Sequence, residues 1–88
     1  MRKADTPSAG ITEIDIHGMN KFQAKTFIES RIKSASKSVY RLRIIHGYHG
    51  GTELRNMIRK ELGANPKVIR VEVGLNPGET DLILRELF

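Results

Sequence analysis

Cysteine and tryptophan are absent from this sequence of 88 residues, which also has only two tyrosines and three phenylalanines. The absence of cysteine excludes both a disulfide framework and a zinc site with thiolate ligands, so packing alone must hold the fold together. The shortage of aromatic residues argues against a sheet that stacks bases on paired exposed rings. No apolar run approaches the length that crosses a bilayer. We therefore expect a cytoplasmic protein that makes no contact with a membrane.

The motifs of several hydrolase classes are missing as well. The sequence has no nucleophile elbow, no carboxylate cluster large enough for two metal ions, and no helical pair of zinc-binding histidines. Hydrophobic residues make up 39% and charged residues 28% of the chain, which is typical of a globular domain. A chain of this length has room for one core. We predict a disordered lead-in over residues 1–10 and a single domain over residues 11–88.

Positive charge is in excess, with 15 lysines and arginines against 10 acidic residues and a formal net charge of +5. The whole excess lies in residues 1–50, because residues 51–88 hold equal numbers of basic and acidic side chains. Such a charge favours a polyanion such as RNA or DNA, through steering and counterion release. Alternatively, the lysines form a solvated helix face, since Lys25 and Lys33 are each spaced to pair with Glu29. The basic side chains that we assign to nucleic-acid contact are Lys33, Lys37, Arg41 and Arg43.

Hydrophobic periodicity predicts the order strand, helix, strand, helix, strand, strand. Asn20 and Gln23 form the signature of a helix start, and Gly63 marks a helix end. The predicted strands cover residues 11–17, 39–45, 68–73 and 80–87, and the predicted helices cover residues 21–37 and about 51–62. Right-handed crossovers in two strand-helix-strand units place both helices on the same side of the sheet. The predicted fold class is therefore a two-layer α/β (α+β) sandwich, with a four-stranded mixed sheet and two helices on one face.

The other face of this sheet is predicted to be polar. Strand alternation places a set of charged residues on positions that point away from the apolar set: Asp15, His17, Arg41, Arg43, Arg70, Glu72, Asp81 and Arg85. Because arginines and acids are mixed in this set, we expect cross-strand ion pairs to cover much of the open face.

Asp15 and His17 share one face at the exit of the first predicted strand and precede Gly18. A carboxylate in this position can orient the imidazole for general acid-base chemistry, or both groups can help to hold a divalent metal. Alternatively, the histidine is a turn former or a surface group. The spacing alone does not decide between these roles.

A second strand end repeats the pattern, since His46 and Gly47 follow an apolar run and open a turn made of Tyr48, His49, Gly50 and Gly51. A glycine-rich turn between a strand and a helix lets backbone N–H groups approach a phosphate oxygen. Glycines serve equally well in a short turn that needs positive φ. Tyr48 either stacks on a base or packs over the turn as a hydrophobic lid.

Taken together, these segments resemble the Smr (small MutS-related) domain over residues 11–87. Residues 14–18, Ile-Asp-Ile-His-Gly, are similar to the Leu-Asp-Leu-His-Gly signature of that family. His46 and Gly47 begin its second signature, His-Gly-X-Gly-X-Gly, after which the glycine spacing differs by one residue. The resemblance implies a fold similar to the C-terminal domain of translation initiation factor three. It also implies an endonuclease that cuts RNA or nicks DNA.

Roles for single residues follow from this resemblance. The implied catalytic residues are Asp15, His17 and His46, and the implied nucleic-acid-binding residues of the turn and the second helix are Gly47, Tyr48, His49, Gly50, Gly51 and Arg55. With RNA, His17 takes the proton of the attacking 2′-hydroxyl while Asp15 fixes the imidazole tautomer. With DNA, water must attack, so a divalent metal, magnesium or manganese, at Asp15 becomes the expected cofactor.

A second interpretation is a module that binds structured nucleic acid or a ribosomal surface without cutting it. Removal of the basic residues then weakens binding, and there is no cleavage for Asp15 and His17 to support. A third interpretation is a dimeric structural module, because the core is small. We expect a monomer or a weak dimer whose partner is nucleic acid, with the ribosome as a further candidate.

Overall fold

The structure, a computed structural model, describes residues 5–8, 10–47, 52–74 and 76–86, the first of these ranges by its backbone alone. The strands form a mixed sheet in the order β1-β2-β3-β5-β4, in which β2 and β3 are parallel and the other neighbours are antiparallel. The elements in chain order are β1 (Asp5–Ser8), β2 (Ile11–Asp15), α1 (Lys21–Ser34), β3 (Arg41–Ile45), α2 (Thr52–Met57), a π-helical segment (Ile58–Leu62), β4 (Arg70–Glu72) and β5 (Glu79–Ile83).

The hydrophobic core lies between one face of the sheet and both helices. Even-numbered residues of β2, β3 and β5 point to this face, and Ile14, Ile44 and Leu82 are completely buried there. The helical part of the same core consists of Ala24, Ile28, Ile32, Leu54, Met57, Ile58 and Leu62. The predicted arrangement, two helices against one face of a mixed sheet, is confirmed.

Helix α1 begins where the sequence predicts. Oδ1 of Asn20 accepts the backbone N–H of Gln23 at 2.8 Å, and Oε1 of Gln23 accepts the N–H of Asn20 at 3.2 Å, which completes a capping box. The helix ends at Ser34, three residues before the predicted end, because Ala35 has an extended backbone with ψ 133°. Serines near the end of α1 compete for backbone hydrogen bonds and weaken the last turn.

The N-terminal strand is an element that the sequence did not predict. Residues 5–8, assigned above to a disordered lead-in, form β1 and pair with β2 from Asp5 opposite Ile14 to Ser8 opposite Ile11. Gly10 turns the chain with φ +88°, which favours glycine. Pro7 is compatible with β1 because this strand lies at the sheet edge and needs ladder bonds on one side only. The described sheet therefore has five strands rather than four.

The second predicted helix consists of two parts. After α2, the backbone widens into the π-helical segment, whose last bond runs from the N–H of Gly63 to the carbonyl of Ile58 at 2.9 Å. A Cβ on Gly63 would lie 2.5 Å from the carbonyl oxygen of Arg59 and 2.8 Å from Cγ2 of Val71. Glycine is therefore required at the end of this helix by close packing against β4, in addition to its role as a helix terminator.

Candidate functional site

The carboxyl ends of the parallel strands β2 and β3 meet at one edge of the sheet. The N–H of Ile16 donates to the carbonyl of Ile45 at 3.0 Å, which extends the strand pairing beyond β2. His17 and Gly47 follow, and a Cβ built on Gly47 would lie 3.7 Å from Cβ of His17. The two segments identified in the sequence are therefore adjacent in space. We refer to this region as the strand-end site, which comprises Asp15, His17, His46, Gly47 and Gly78.

Asp15 and His17 form a side-chain pair at this site. Nδ1 of His17 contacts Oδ1 of Asp15, and the backbone N–H of His17 donates to the same oxygen at 3.1 Å. The carboxylate accepts, so the neutral imidazole carries its proton on Nδ1 and leaves Nε2 as a proton acceptor. The side chain of His17 is 70% exposed. A ligand can therefore reach the ring.

The backbone conformation explains why a glycine follows both His17 and His46. Gly18 and Gly47 both have φ +86°, a left-handed backbone that other residues adopt only with strain. At Gly18 the chain leaves β2 and turns toward α1, and the N–H of Met19 donates to the carbonyl of Ile16 at 3.0 Å. Positive φ at Gly47 agrees with the structural role that the sequence left open for the glycines of this turn.

Gly78 brings a third segment of the chain to the strand-end site. Its carbonyl oxygen accepts the N–H groups of His46 at 2.9 Å and of Gly47 at 3.0 Å. A Cβ on Gly78 would lie 3.5 Å from the Gly47 backbone. The turn itself is closed by Oδ1 of Asn76, which accepts the N–H of Gly78 at 2.9 Å. The backbones of the two segments therefore lie in close contact at position 78.

His46 points to the helix side of the sheet and is only 2% exposed. Its Nδ1 lies 3.1 Å from the carbonyl oxygen of Gly47, and its Nε2 lies 2.9 Å from Oγ1 of Thr80. The same Oγ1 accepts the Nε–H of Arg59 at 3.2 Å. Since a carbonyl oxygen only accepts, the ring proton lies on Nδ1, and the Thr80 hydroxyl donates to Nε2. Both ring nitrogens are thus occupied by bonds within the protein.

Burial lowers the pKa of His46 below its ordinary value, and the positive charges of Arg59 and Arg55 lower this pKa further. The hydrogen bond to the Gly47 carbonyl acts in the opposite direction but does not outweigh the burial. His46 is therefore a neutral imidazole at neutral pH, held in one tautomer at the base of the turn.

Arg55 and Arg59 lie one helical turn apart, on α2 and on the π-helical segment. Within the described ranges, neither guanidinium lies within 4.0 Å of a carboxylate. Nε of Arg55 is buried and has no hydrogen-bond partner among those residues. Arg59 uses its Nε to bind Thr80. The two arginines therefore leave uncompensated positive charge beside His46.

Three arginines on the open face of the sheet do have carboxylate partners. Arg41 lies 3.0 Å from Glu72 and 2.5 Å from Asp81, and Arg43 lies 3.3 Å from Asp81. Arg70 lies 2.9 Å from Glu72. The predicted cross-strand pairing is confirmed, and it neutralises the charge of two residues, Arg41 and Arg43, that the sequence assigned to nucleic-acid contact.

The remaining sequence-predicted residues are not brought to the strand-end site by the described structure. Lys33 is exposed at the C-terminal end of α1 and Lys37 is exposed in the loop after it. Because α1 starts beside the strand-end site and runs back along the sheet, these two lysines lie at the opposite end of the molecule. Four predicted contact residues fall outside the described residues: Tyr48, His49, Gly50 and Gly51.

Two residues that support His46, Thr80 and Arg59, were missed in the sequence. Thr80 is completely buried and occupies a position of β5 that points to the core. A polar residue on the apolar parity of a strand was the available signal for Thr80. Arg59 follows Arg55 by four positions on a predicted helix, a spacing that places two side chains on one face.

The described parts of the chain contain no group of three histidine, aspartate or glutamate side chains that could hold a metal ion. A divalent ion at Asp15 would therefore need most of its oxygen ligands from substrate and water, as magnesium commonly does. Within those same parts, no helix is long and apolar enough to cross a membrane.

Comparison with known proteins relates the chain to one family. A model of the Smr domain family matches residues 14–77, which include Asp15, His17, His46 and Gly47. Among solved structures, the Smr domain of Thermus thermophilus MutS2 is similar to this chain with a TM-score of 0.75 and 25% sequence identity. The match covers 84% of this chain and 98% of that chain. A search of the curated proteins finds no match.

Proposed function

The chain belongs to the Smr domain family, whose members generally bind nucleic acid, and from this membership we propose that it cuts a phosphodiester bond with Asp15 and His17. One observation carries the proposal: a carboxylate holds Nδ1 of an imidazole that is 70% exposed. This arrangement is suited to general-base chemistry because the carboxylate fixes the tautomer and the other nitrogen can meet a substrate proton.

RNA is the substrate that these two residues can cut without further groups. Nε2 of His17 accepts the proton of a 2′-hydroxyl, and the oxygen attacks the adjacent phosphorus. The bond from phosphorus to the 5′-oxygen breaks, which leaves a 2′,3′-cyclic phosphate and a 5′-hydroxyl that takes its proton from water. Asp15 keeps its charge and stabilises the imidazolium that forms.

His46 acts in this proposal as a positioning residue and does not touch the substrate. Its burial and its bonds to Gly47 and Thr80 support this role. The imidazole fixes the carbonyl of Gly47 and with it the first residue of the glycine-rich turn. We propose this narrower role in place of the catalytic role that the sequence suggested. The turn residues 47–51 remain our proposed phosphate and base contacts, with Arg55 as a source of positive charge.

The test is cleavage of end-labelled single-stranded RNA, duplex DNA and branched DNA by purified protein, with and without magnesium or manganese. We expect the protein to cut RNA without added metal, and the variant with both Asp15→Ala and His17→Ala to lose this cleavage. Lys67→Gln is the matched control, because Lys67 is exposed and lies between the π-helical segment and β4. Thermal denaturation of each variant verifies that it is folded.

Each outcome of this cleavage assay bears on the function of the protein. Cleavage that survives the double substitution would belong to a contaminant and would refute the proposed mechanism. Binding without any cleavage that depends on Asp15 and His17 would make the protein a nucleic-acid or ribosome-binding module. Cleavage of DNA alone, and only with metal, would move the attacking group from the 2′-hydroxyl to water.

A further inference from the structure

Arg55 and Arg59 are unusual among the arginines of this protein because they lie close to each other without an intervening acid. Like charges four residues apart on a helix are destabilising. Here the pair is also partly buried, and Nε of Arg55 has lost its solvent without gaining an acceptor among the described residues. A buried donor without an acceptor costs free energy. An anion bound by both guanidinium groups would compensate the like charges.

The donors left over in this pair suit a phosphate. Nε of Arg59 donates to Thr80. The two terminal nitrogens of Arg59 have no acceptor among the described residues. Guanidinium groups bind phosphate through parallel N–H donors, and two of them can hold one phosphate from two sides. Lysines would supply charge without this geometry.

We propose that Arg55 and Arg59 form a second phosphate subsite that binds a phosphodiester next to the one that is cut. The inference rests on the proposed function, since it assumes a nucleic-acid strand at the strand-end site. Asp15 points to the open face of the sheet, whereas His46, with the two arginines that influence it, lies on the helix face. Gly47 joins the two faces, because it lies next to His17 and begins the chain that leads to α2. A strand that crosses the edge at Gly47 therefore meets both groups in succession.

The ligand for the test is a short single-stranded RNA with 2′-O-methyl groups, which lacks the attacking hydroxyl and cannot be cut by the proposed mechanism. Binding is measured by fluorescence anisotropy over a range of salt concentrations. Each phosphate contact with a single strand contributes a slope of about 0.7 in a plot of log affinity against log salt. We expect Arg55→Gln and Arg59→Gln each to lower the affinity and to reduce the slope by no more than this amount, because the two residues share one phosphate. Lys67→Gln should leave the affinity and the slope unchanged.

A scan with neutral methylphosphonate linkages locates the phosphate that is bound. We expect one linkage whose replacement weakens binding to the unmodified protein about tenfold, as loss of a charged hydrogen bond does. In Arg55→Gln the same replacement should have a smaller effect, because one of the two partners of this phosphate is already missing. The proposal is overturned if every linkage matters equally, or if the sensitive linkage costs Arg55→Gln as much as it costs the unmodified protein.

The resonance of His46 gives an independent readout. A phosphate bound between Arg55 and Arg59 offsets the charges that lower the pKa of His46, so the titration midpoint of its Hε1 resonance should move upward on binding of the oligonucleotide. An unchanged midpoint in the complex would contradict the subsite. A purely structural role of the two arginines predicts no such shift.

Failure of this inference is separable from failure of the proposed cleavage. The variant with Asp15→Ala and His17→Ala keeps both arginines, so it should show the same methylphosphonate profile as the unmodified protein. A sensitive linkage without any cleavage would support the subsite and refute the nuclease. Cleavage that depends on Asp15 and His17 without a sensitive linkage would do the reverse.

Discussion

The arginines on the open face of the sheet and those on the helix face near His46 differ in whether they have carboxylate partners. On the open face, Arg41 and Arg43 share Asp81. On the helix face, Arg55 and Arg59 have no carboxylate within 4.0 Å among the described residues. For the first set, the protein itself provides the carboxylate partners. For the second set, we propose that a phosphate of the ligand supplies the missing negative charge.

This difference shows why a count of charge along the sequence misplaces the binding surface. The whole excess of +5 lies in residues 1–50, and residues 51–88 are neutral in sum. The acids of the second half, however, extend across the sheet to neutralise arginines of the first half, as Asp81 does for Arg41. The positive charge of Arg55 and Arg59 is thereby left exposed to a ligand. Net charge belongs to surfaces, and pairing between distant strands redistributes it.

The largest expected effect separates chemistry at the strand-end site from ion pairing on the open face. Asp15→Asn should lower the rate of RNA cleavage by about 10²- to 10⁴-fold, because the amide no longer fixes the tautomer of His17. Glu72→Gln removes a carboxylate from the open face and should leave the rate nearly unchanged. The rates are compared under single-turnover conditions. Equal losses in the two variants would mean that Asp15 has a structural role.

The next effect tests whether pairing on the open face stabilises the fold. Asp81→Asn leaves Arg41 and Arg43 partly buried without their shared carboxylate, and we expect it to lower the free energy of unfolding by about 2 kcal/mol. Urea denaturation measures the change. Glu29→Gln, on the exposed side of α1, is the control and should stay within about 0.5 kcal/mol of the unmodified protein. A loss at Asp81 no larger than that of the control would contradict the comparison.

The pH dependence of stability probes the helix face through His46. Its pKa is lowered in the folded state, so between the folded and the unfolded values the unfolded chain binds more protons. Stability is therefore complete above the ordinary histidine pKa of about 6.5 and falls as the pH is lowered through that value. His46→Gln should lose this part of the pH dependence, measured as the urea midpoint between pH 7.5 and pH 5. Identical slopes in both proteins would show that His46 does not contribute.

The smallest effect concerns the stability of the arginine pair itself. Arg55→Gln removes one of two like charges and one buried donor without an acceptor, so we expect the free energy of unfolding to stay equal or rise by up to about 0.5 kcal/mol. We expect the same variant to lose affinity for the 2′-O-methyl oligonucleotide. A marked loss of stability would place Arg55 among the structural arginines and would remove the contrast between the two faces.

Local pattern was sufficient to predict much of the fold. The alternation of Ile14, Ile16, Leu42 and Ile44 identified the buried face, and Asn20 with Gln23 located the start of α1. These features depend on neighbours along the chain. Strand β1 was not predicted because its few residues show no apolar alternation, and it pairs with β2 alone.

The candidate site was predictable where its signal was local and not where it depended on partners distant in sequence. Asp15 and His17 are two positions apart, and their contact follows from strand geometry. The burial of His46 depends on Thr80 and Arg59, which come from a different strand and from a helix. No periodicity in the sequence tells which histidine will find such partners. The motifs around His17 and His46 are therefore similar in sequence, although His17 is exposed and His46 is buried.

The double hydrogen bond to the carbonyl of Gly78 makes the strand-end site depend on the C-terminal part of the chain. The strand-end site needs residues near positions 17, 47 and 78, and the last of these arrives with β5, which lies between β3 and β4 in the sheet. A partly folded chain with β2, α1 and β3 in place would still have an unanchored turn after His46. We therefore expect the proposed cleavage activity to recover during refolding only after β5 has paired with β3. The rate at which cleavage recovers would then report the rate at which β5 joins the sheet.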